Sequence, residues 1–181
     1  MRTKKTWDSE SPAVQMAAAG QPHARVVLLK SSVEALRETS ELCFFTNYNS
    51  PKSRELANEP RATLVFYWSS LARQVRVEGR TRRCSEQESD EYFASRPRGH
   101  QIGAWASAQS EPITSRDELI ARVTELEAEY AGREVPRPPH WGGFLLAPEY
   151  FEFWQGQENR LHDRFGYRRH TDGWTITRLA P

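Results

Sequence analysis

At 181 residues, with 25 Lys+Arg against 24 Asp+Glu and a formal charge of +1, the chain has the length of one domain that can bury a core without disulfides. Near-neutrality argues against bulk attraction to nucleic acid or to an anionic membrane and leaves only local basic patches. No apolar run reaches the roughly 20 residues of a membrane span. The basic start Met1-Arg2-Thr3-Lys4-Lys5 leads into no apolar signal segment, so a soluble, cytoplasmic protein is expected. Cys43 and Cys84, the only cysteines, fall mid-strand and at a strand end. They are expected as two buried thiols rather than a disulfide, in keeping with a reducing compartment.

Residues 1–20 are polar, then Ala-rich, with no clear strand, and are expected to be poorly ordered. Arg25–Lys30, Leu42–Thr46 and Ala62–Trp68 are short aliphatic or aromatic runs. Gln74–Arg80 alternates apolar and polar residues, the pattern of a strand with one wet face. Gly142–Leu146, Tyr150–Gln155, Arg164–Arg169 and Trp174–Leu179 supply four more strands, with Asp172-Gly173 as a turn between the last two. Phe66 and Trp68 are expected as exposed aromatics on a barrel face. Ser50-Pro51 opens a short helix, with Pro60 beyond its end. Ser85-Glu86-Gln87-Glu88 is a capping box leading into Tyr92 and Phe93, and Ser115 to Glu118 is another. The second opens a helix with Leu119, Ile120, Val123, Leu126 and Tyr130 on one face, ended by Gly132 and the Pro-rich stretch 136–139. Strands outnumber helices, so the fold class is mainly β with helices (α+β), a small antiparallel barrel forming one domain over residues 1–181.

There is no Gly-rich phosphate loop, no nucleophile elbow and no zinc spacing, and the five His are scattered. Any cofactor is therefore expected to be organic. Arg25 to Lys30, with Thr46 to Lys52 at a loop and helix start, suits a phosphate, or equally a solvated strand end and an N-cap. Gln74 reads as a surface strand residue. Arg96 and Arg98, beside a helix end stopped by Pro97, suit either a phosphate or a solvated terminus. Near the C-terminus, Glu152-Phe153-Trp154-Gln155-Gly156 is followed by Arg160-Leu161-His162-Asp163-Arg164, placing a Trp, two Arg, a His and an Asp within eleven residues. A planar anionic ligand would need such a set, a flat apolar wall with cations and a titratable ring.

These segments, in this order and covering about residues 22–181, resemble the pyridoxine (pyridoxamine) 5′-phosphate oxidases. The resemblance implies an FMN-binding split β-barrel, antiparallel and Greek-key-like. It also implies a homodimer with its site at the subunit interface and region 142–181 serving dimerisation and the substrate site. It places FMN against Arg25, Val26, Val27, Leu28, Leu29 and Lys30, then Phe45, Thr46, Lys52, Gln74, Gln109, Ser110, Trp154 and Arg164. It places the substrate phosphate at Lys30, Tyr92, Arg96 and His100, and the pyridine ring under Arg160 and His162, the residues next to the chemistry. The implied reaction oxidises pyridoxine 5′-phosphate or pyridoxamine 5′-phosphate to pyridoxal 5′-phosphate, with O2 as acceptor and hydrogen peroxide as product.

Four departures from the family pattern stand out. Pro51 replaces the Arg of a Ser-Arg-Lys triplet, removing a bidentate donor that Lys52 cannot fully replace. His100 replaces a Ser, Ser31 to Glu41 is a longer connection than usual, and the N-terminal strand and lid segment are poorly matched. FMN binding is expected to survive these changes better than turnover does. Two alternatives therefore stand beside the oxidase: an FMN- or pyridoxal 5′-phosphate-binding protein with little turnover, and a split-barrel flavin oxidase of another substrate in secondary metabolism.

Overall fold

In the computed structural model of the protein, residues 13–19, 21–31 and 33–181 are described, with side chains at 23–31 and 36–181. One long strand, β6 (Trp141–Gln155), organises them. Along one edge it pairs from Phe144 to Gln155 with β5 (Arg73–Arg83). Its other edge is shared: β3 (Leu42–Asn47) takes Trp141 to Leu146, and β7 (Asp163–His170) takes Tyr150 to Gln155. Beyond β5 lie β4 (Arg61–Trp68), β1 (Ala13–Ala19) and β2 (Gln21–Val27), while β8 (Gly173–Leu179) pairs with β7. All pairings are antiparallel. A bridge between Leu29 and Phe44, with the Lys30 amide donating to the Cys43 carbonyl at 2.7 Å, joins the end of β2 to β3. The barrel thus closes through β3, and the β7–β8 hairpin splits away from it.

The sequence reading separates 142–146 from 150–155, whereas the structure runs them as one strand. Pro148 made a break look necessary, since proline donates nothing to a ladder. It sits where the β5–β6 register slips, with Glu78 opposite Tyr150 and Gly79 opposite Pro148. A bulge there absorbs the missing N–H. Gly79 is needed at the same place, because a Cβ would run into the Ala147 carbonyl and come within 3.0 Å of Leu146 Cδ2.

Adjacent residues of β3 feed two cores. Phe44 points into the barrel with Leu64, Phe66, Val77, Phe144 and Leu146. Phe45 points outward to a second cluster of Phe93, Ile102, Leu126, Val135 and Trp141. Each such side chain contributes roughly 1.5–3 kcal/mol on burial. The second cluster lies under α3 (Glu86–Ala94), α4 (Arg98–Ala106) and α5 (Arg116–Glu129). Ser85 and Glu88 form the full capping box expected for α3. In α5, Ser115 accepts from the Glu118 amide, but the Glu118 carboxylate turns to Thr114 instead of closing the box.

Other elements depart from the sequence reading. Ala13–Ala19, where no clear strand was expected, is β1, paired to β2 on one side and β4 on the other; residues 1–12 lie outside the described residues. The long connection after Lys30 holds a helix, α1 (Val33–Thr39). Pro97 does not merely end α3 but stands at the N-cap of α4, a position that tolerates its missing N–H. Phe66 is buried and Trp68 half-buried against the same core, so neither is exposed; among the described residues the exposed aromatics are Tyr67, Phe153 and Trp174. α2 (Pro51–Asn58) opens at Pro51 as expected. Cys43 and Cys84 are free thiols 3.7 Å apart, the first half-buried and the second buried. Among the described residues no helix is long and apolar enough to cross a membrane.

Gly79→Ala is expected to lower the stability of the protein by at least about 2 kcal/mol, because the obstruction is backbone and cannot swing aside. Thermal melts of the two proteins check this, and an unchanged melting temperature would show that the bulge can open.

Candidate active site

A cavity of about 780 Å³ opens between the end of β2, β3, the start of α2, and the α3–α4 turn. Lys30, Lys52, Arg96 and His100 line it, and among the described residues no Asp or Glu does. One wall is aromatic: the rings of Phe45 and Tyr92 stack at 4.0 Å, and Phe45 and Trp141 at 5.4 Å, all nearly parallel.

At the α2 end, Lys52 is buried. Its Nζ donates to Gln109 Oε1 at 2.6 Å, Thr46 Oγ1 at 2.7 Å and Ser50 Oγ at 2.9 Å. All three acceptors are neutral. Burial pulls the ammonium down to about 8, and the nearby positive charge of Arg25 pushes the same way against the opposing Glu55. Pro51 gives α2 a preset first turn but no donor.

At the other end, the Arg96 guanidinium lies 4.6 Å from the Trp141 ring centroid and 5.5 Å from that of Phe93. Its Nη1 is buried and has no hydrogen-bond partner among the described residues. Burial lowers its pKa, opposed only by Tyr92. A desolvated donor left unpaired is costly. An anionic ligand would remove that cost.

A second cluster stands on the split part of the sheet. Gln74, Trp154 and Arg164 are successive cross-strand neighbours on β5, β6 and β7. One step along, Glu152 is 5% exposed and accepts from Arg76 Nη2 at 2.8 Å and from Arg164 Nε at 2.9 Å, with Arg164 Nη2 in ion-pair contact at 2.8 Å. Burial opposes its ionisation, but the hydrogen bonds from the two guanidiniums outweigh it and hold the carboxyl below its usual range. Arg164 Nη1 donates to the Ala180 carbonyl at 2.8 Å. Two of its five N–H groups are thereby hydrogen-bonded. The rings of Trp154 and His162 lie 4.7 Å apart, and His162 Nδ1 accepts from the Gln157 amide at 3.1 Å. Asn159 and Arg160 both have positive φ, 54° and 61°, an uncommon pair of left-handed non-glycine residues. Arg160 is exposed there.

Residues 5–130 match the family described as pyridoxamine 5′-phosphate oxidase, and residues 141–181 match the pyridoxine 5′-phosphate oxidase C-terminal dimerisation region. A pyridoxine/pyridoxamine 5′-phosphate oxidase of Rubrobacter xylanophilus is 57% identical over 162 residues, covering 90% of this chain and 72% of the relative. One of Microcystis aeruginosa is 55% identical over 163 residues, covering 90% and 74%. The chain belongs to the pyridoxamine 5′-phosphate oxidase family. Among solved structures, PhzG of Burkholderia lata, in complex with tetrahydrophenazine-1-carboxylic acid, superposes with a TM-score of 0.84 at 30% identity, over 94% of this chain and 82% of that one. A pyridoxamine 5′-phosphate oxidase-related FMN-binding protein of Nostoc punctiforme reaches 0.73 at 17% identity, over 94% and 88%, and supports the fold.

Of the residues that the family resemblance assigns, Val26, Val27, Leu28, Lys30, Phe45, Thr46, Lys52, Tyr92, Arg96, His100 and Gln109 come together at the cavity. Three neighbours do not line it. Leu29 packs against the barrel core, Arg25 is held by Glu55 at 3.0 Å, and Ser110 sits next to Gln109 at a φ of 72°. Gln74, Trp154, His162 and Arg164 form the second cluster, the exposed Arg160 stands on the turn that leads into β7, and none of the five lines the cavity. FMN is the family's cofactor, and the donor set fits it: a buried ammonium for a phosphate and aromatic walls for a planar ring. The sequence reading left Trp141 and Glu152 without roles, although the one backs Arg96 and the other holds Arg164. The hydrophobic pattern around Trp141 gave no hint of a cation partner. Glu152, an acid flanked by Phe151 and Phe153 in a largely apolar strand, was the available signal.

Lys52→Met is expected to weaken FMN binding to the apoprotein by about tenfold or more, while its melting temperature at pH 7 holds or rises, since a desolvated charge is removed. For the unsubstituted protein, FMN affinity should fall as pH rises through about 8, where Lys52 loses its proton. Fluorescence titration across pH 6.5–9.5 checks both, and a flat profile would take Lys52 out of the phosphate site.

Proposed function

We propose that the protein oxidises pyridoxine 5′-phosphate and pyridoxamine 5′-phosphate to pyridoxal 5′-phosphate. The observation that carries this is the buried Nη1 of Arg96, without a partner among the described residues, in a cavity that holds a further cation, Lys52, at its other end and to which the described residues bring no carboxylate. Such a cavity suits two phosphates, one belonging to FMN and one to the substrate. Relatives more than half identical over most of the chain carry the same activity in their names.

Lys52, Thr46 and Gln109 would hold the FMN phosphate, with Arg25 behind them, and Val26 to Lys30 would run along the cofactor. Bound FMN would supply the two-electron acceptor for oxidation at the substrate's C4′ carbon, with O2 as terminal acceptor and hydrogen peroxide as the reduced product; with pyridoxamine 5′-phosphate, water would then hydrolyse the C4′ imine and ammonia would leave. Lys30, Tyr92, Arg96 and His100 would fix the substrate phosphate, so that its binding energy orients the ring. Arg160 and His162 would cover the pyridine ring, while Gln74, Trp154 and Arg164 would border the flavin. Because these five stand apart from the cavity within one chain, a homodimer that sets the cavity of one protomer against the Trp154–His162 cluster of its partner would complete the site. Free thiols at Cys43 and Cys84 suit a reducing, cytoplasmic setting.

One observation favours a second reading, an FMN- or pyridoxal 5′-phosphate-binding protein with little turnover: Pro51 stands at the start of α2 without a donor. The two readings separate in one cuvette. The oxidase is expected to show flavin absorbance that bleaches anaerobically with pyridoxine 5′-phosphate and recovers in air with pyridoxal 5′-phosphate formed. Flavin bands indifferent to that substrate would favour the binding protein.

Arg160→Ala should raise KM or lower kcat by at least about tenfold while flavin stays bound. Unchanged kinetics would remove Arg160 from the site. Sedimentation of the flavin-loaded protein is expected to give a dimer, and a loaded monomer would contradict the shared site.

A further inference from the structure

Resting on that reading, we infer that His100 makes the cavity's grip on the substrate phosphate proton-dependent, tightening it as pH falls through the imidazole range. α4 turns Gly99, His100, Gly103 and Ala104 to the cavity. These are neighbours on one helical face. A Cβ at Gly99 or Gly103 would meet nothing within 4 Å, so the wall is otherwise low and His100 is its one large side chain. Its ring makes no hydrogen bond among the described residues. The ring is therefore available to a ligand.

The charged and titratable groups that share the cavity are Lys30 after β2, Lys52 on α2, Tyr92 on α3 and Arg96 in the α3–α4 turn. None is a carboxylate. No acidic side chain among the described residues lines the cavity, so a ligand's phosphate would be the anion beside His100. A histidine is the side chain whose charge ordinarily changes between pH 5 and 8. Guanidinium and ammonium groups remain cationic across most of that window, and Lys52 loses its proton only near its upper end, at about 8. His100 is thus the component that can alter the phosphate pocket's charge near neutrality. If a dianion favours the charged ring, the charged ring favours the dianion by the same factor. One correction is built into the substrate, whose phosphate takes up its own second proton near pH 6.

That correction cancels in a comparison with His100→Ser, which keeps a hydroxyl donor but does not titrate, and with His100→Asn, which keeps more of the size. The FMN-loaded proteins would be titrated with pyridoxal 5′-phosphate, followed by absorbance, and assayed for KM with pyridoxine 5′-phosphate at pH 6, 7 and 8. Flavin absorbance and melting curves report that the variants fold. The affinity of the unsubstituted protein relative to either variant is expected to grow by about tenfold from pH 8 to pH 6, the size of one added charge-assisted contact. A ratio independent of pH in both variants would overturn the inference and leave the oxidase reading standing. Failure of all three proteins to bind or turn over phosphorylated ligand at any pH would overturn the phosphate reading of the cavity, and this inference with it.

Discussion

One strand with more partners than a strand has edges sets the architecture. β6 is 15 residues long, and its two halves take different neighbours on the same side. The first half keeps β3 in the barrel; the second carries the β7–β8 hairpin away from it. A continuous ladder to β5 on the opposite edge makes this division possible, since it holds both halves in one sheet while the far edge changes partner. The bulge at Gly79 and Pro148 falls between the two regimes. The local increase in twist that bulges bring is what a diverging edge requires. Both candidate clusters follow from it, one beside the β3 half and one on the β7 half.

The electrostatics of the cavity are as lopsided as the protein as a whole is balanced. With 25 basic and 24 acidic residues, carboxylates are plentiful, and most of the described ion pairs lie elsewhere: Arg137 with Glu86 and Asp90, Arg82 with Glu41, Arg61 with Glu59. Among the described residues, every charged side chain that lines the cavity is a cation. Lys52 is satisfied in hydrogen bonds but not in charge, and Arg96 is satisfied in neither. Folding has already met the desolvation of both groups before a ligand arrives, so a phosphate gains their attraction without that part of the cost.

Much of this was legible in the chain. The strand runs at 42–46, 62–68, 74–80 and 164–179 stand close to their places, and so do the helices opened by Ser50-Pro51, Ser85 and Ser115. What escaped has common physical causes. β1 is largely alanine, with low strand propensity, and forms because β2 and β4 flank it. α1 is a single short amphiphilic stretch that reads equally well as a connection. α4 is opened by the proline that seemed to end its predecessor. Which residues share the cavity was legible only through family resemblance. Periodicity cannot bring Lys52 to Gln109, 57 positions along the chain, and that five of the assigned residues would not line the cavity was legible only in the subunit-interface site that the resemblance implies.

The clamp at Glu152 carries a consequence for variation. One carboxylate lies between Arg76 and Arg164, and Arg164 also holds the Ala180 carbonyl. Loss of the acid leaves two guanidiniums facing each other, and loss of either arginine leaves the acid half-compensated. The effect of changing any one of the three therefore depends on the state of the other two. Positions 76, 152 and 164 form an epistatic unit, in which a substitution harmful alone can become acceptable beside a second, and paths between sequences must alter them in a permitted order.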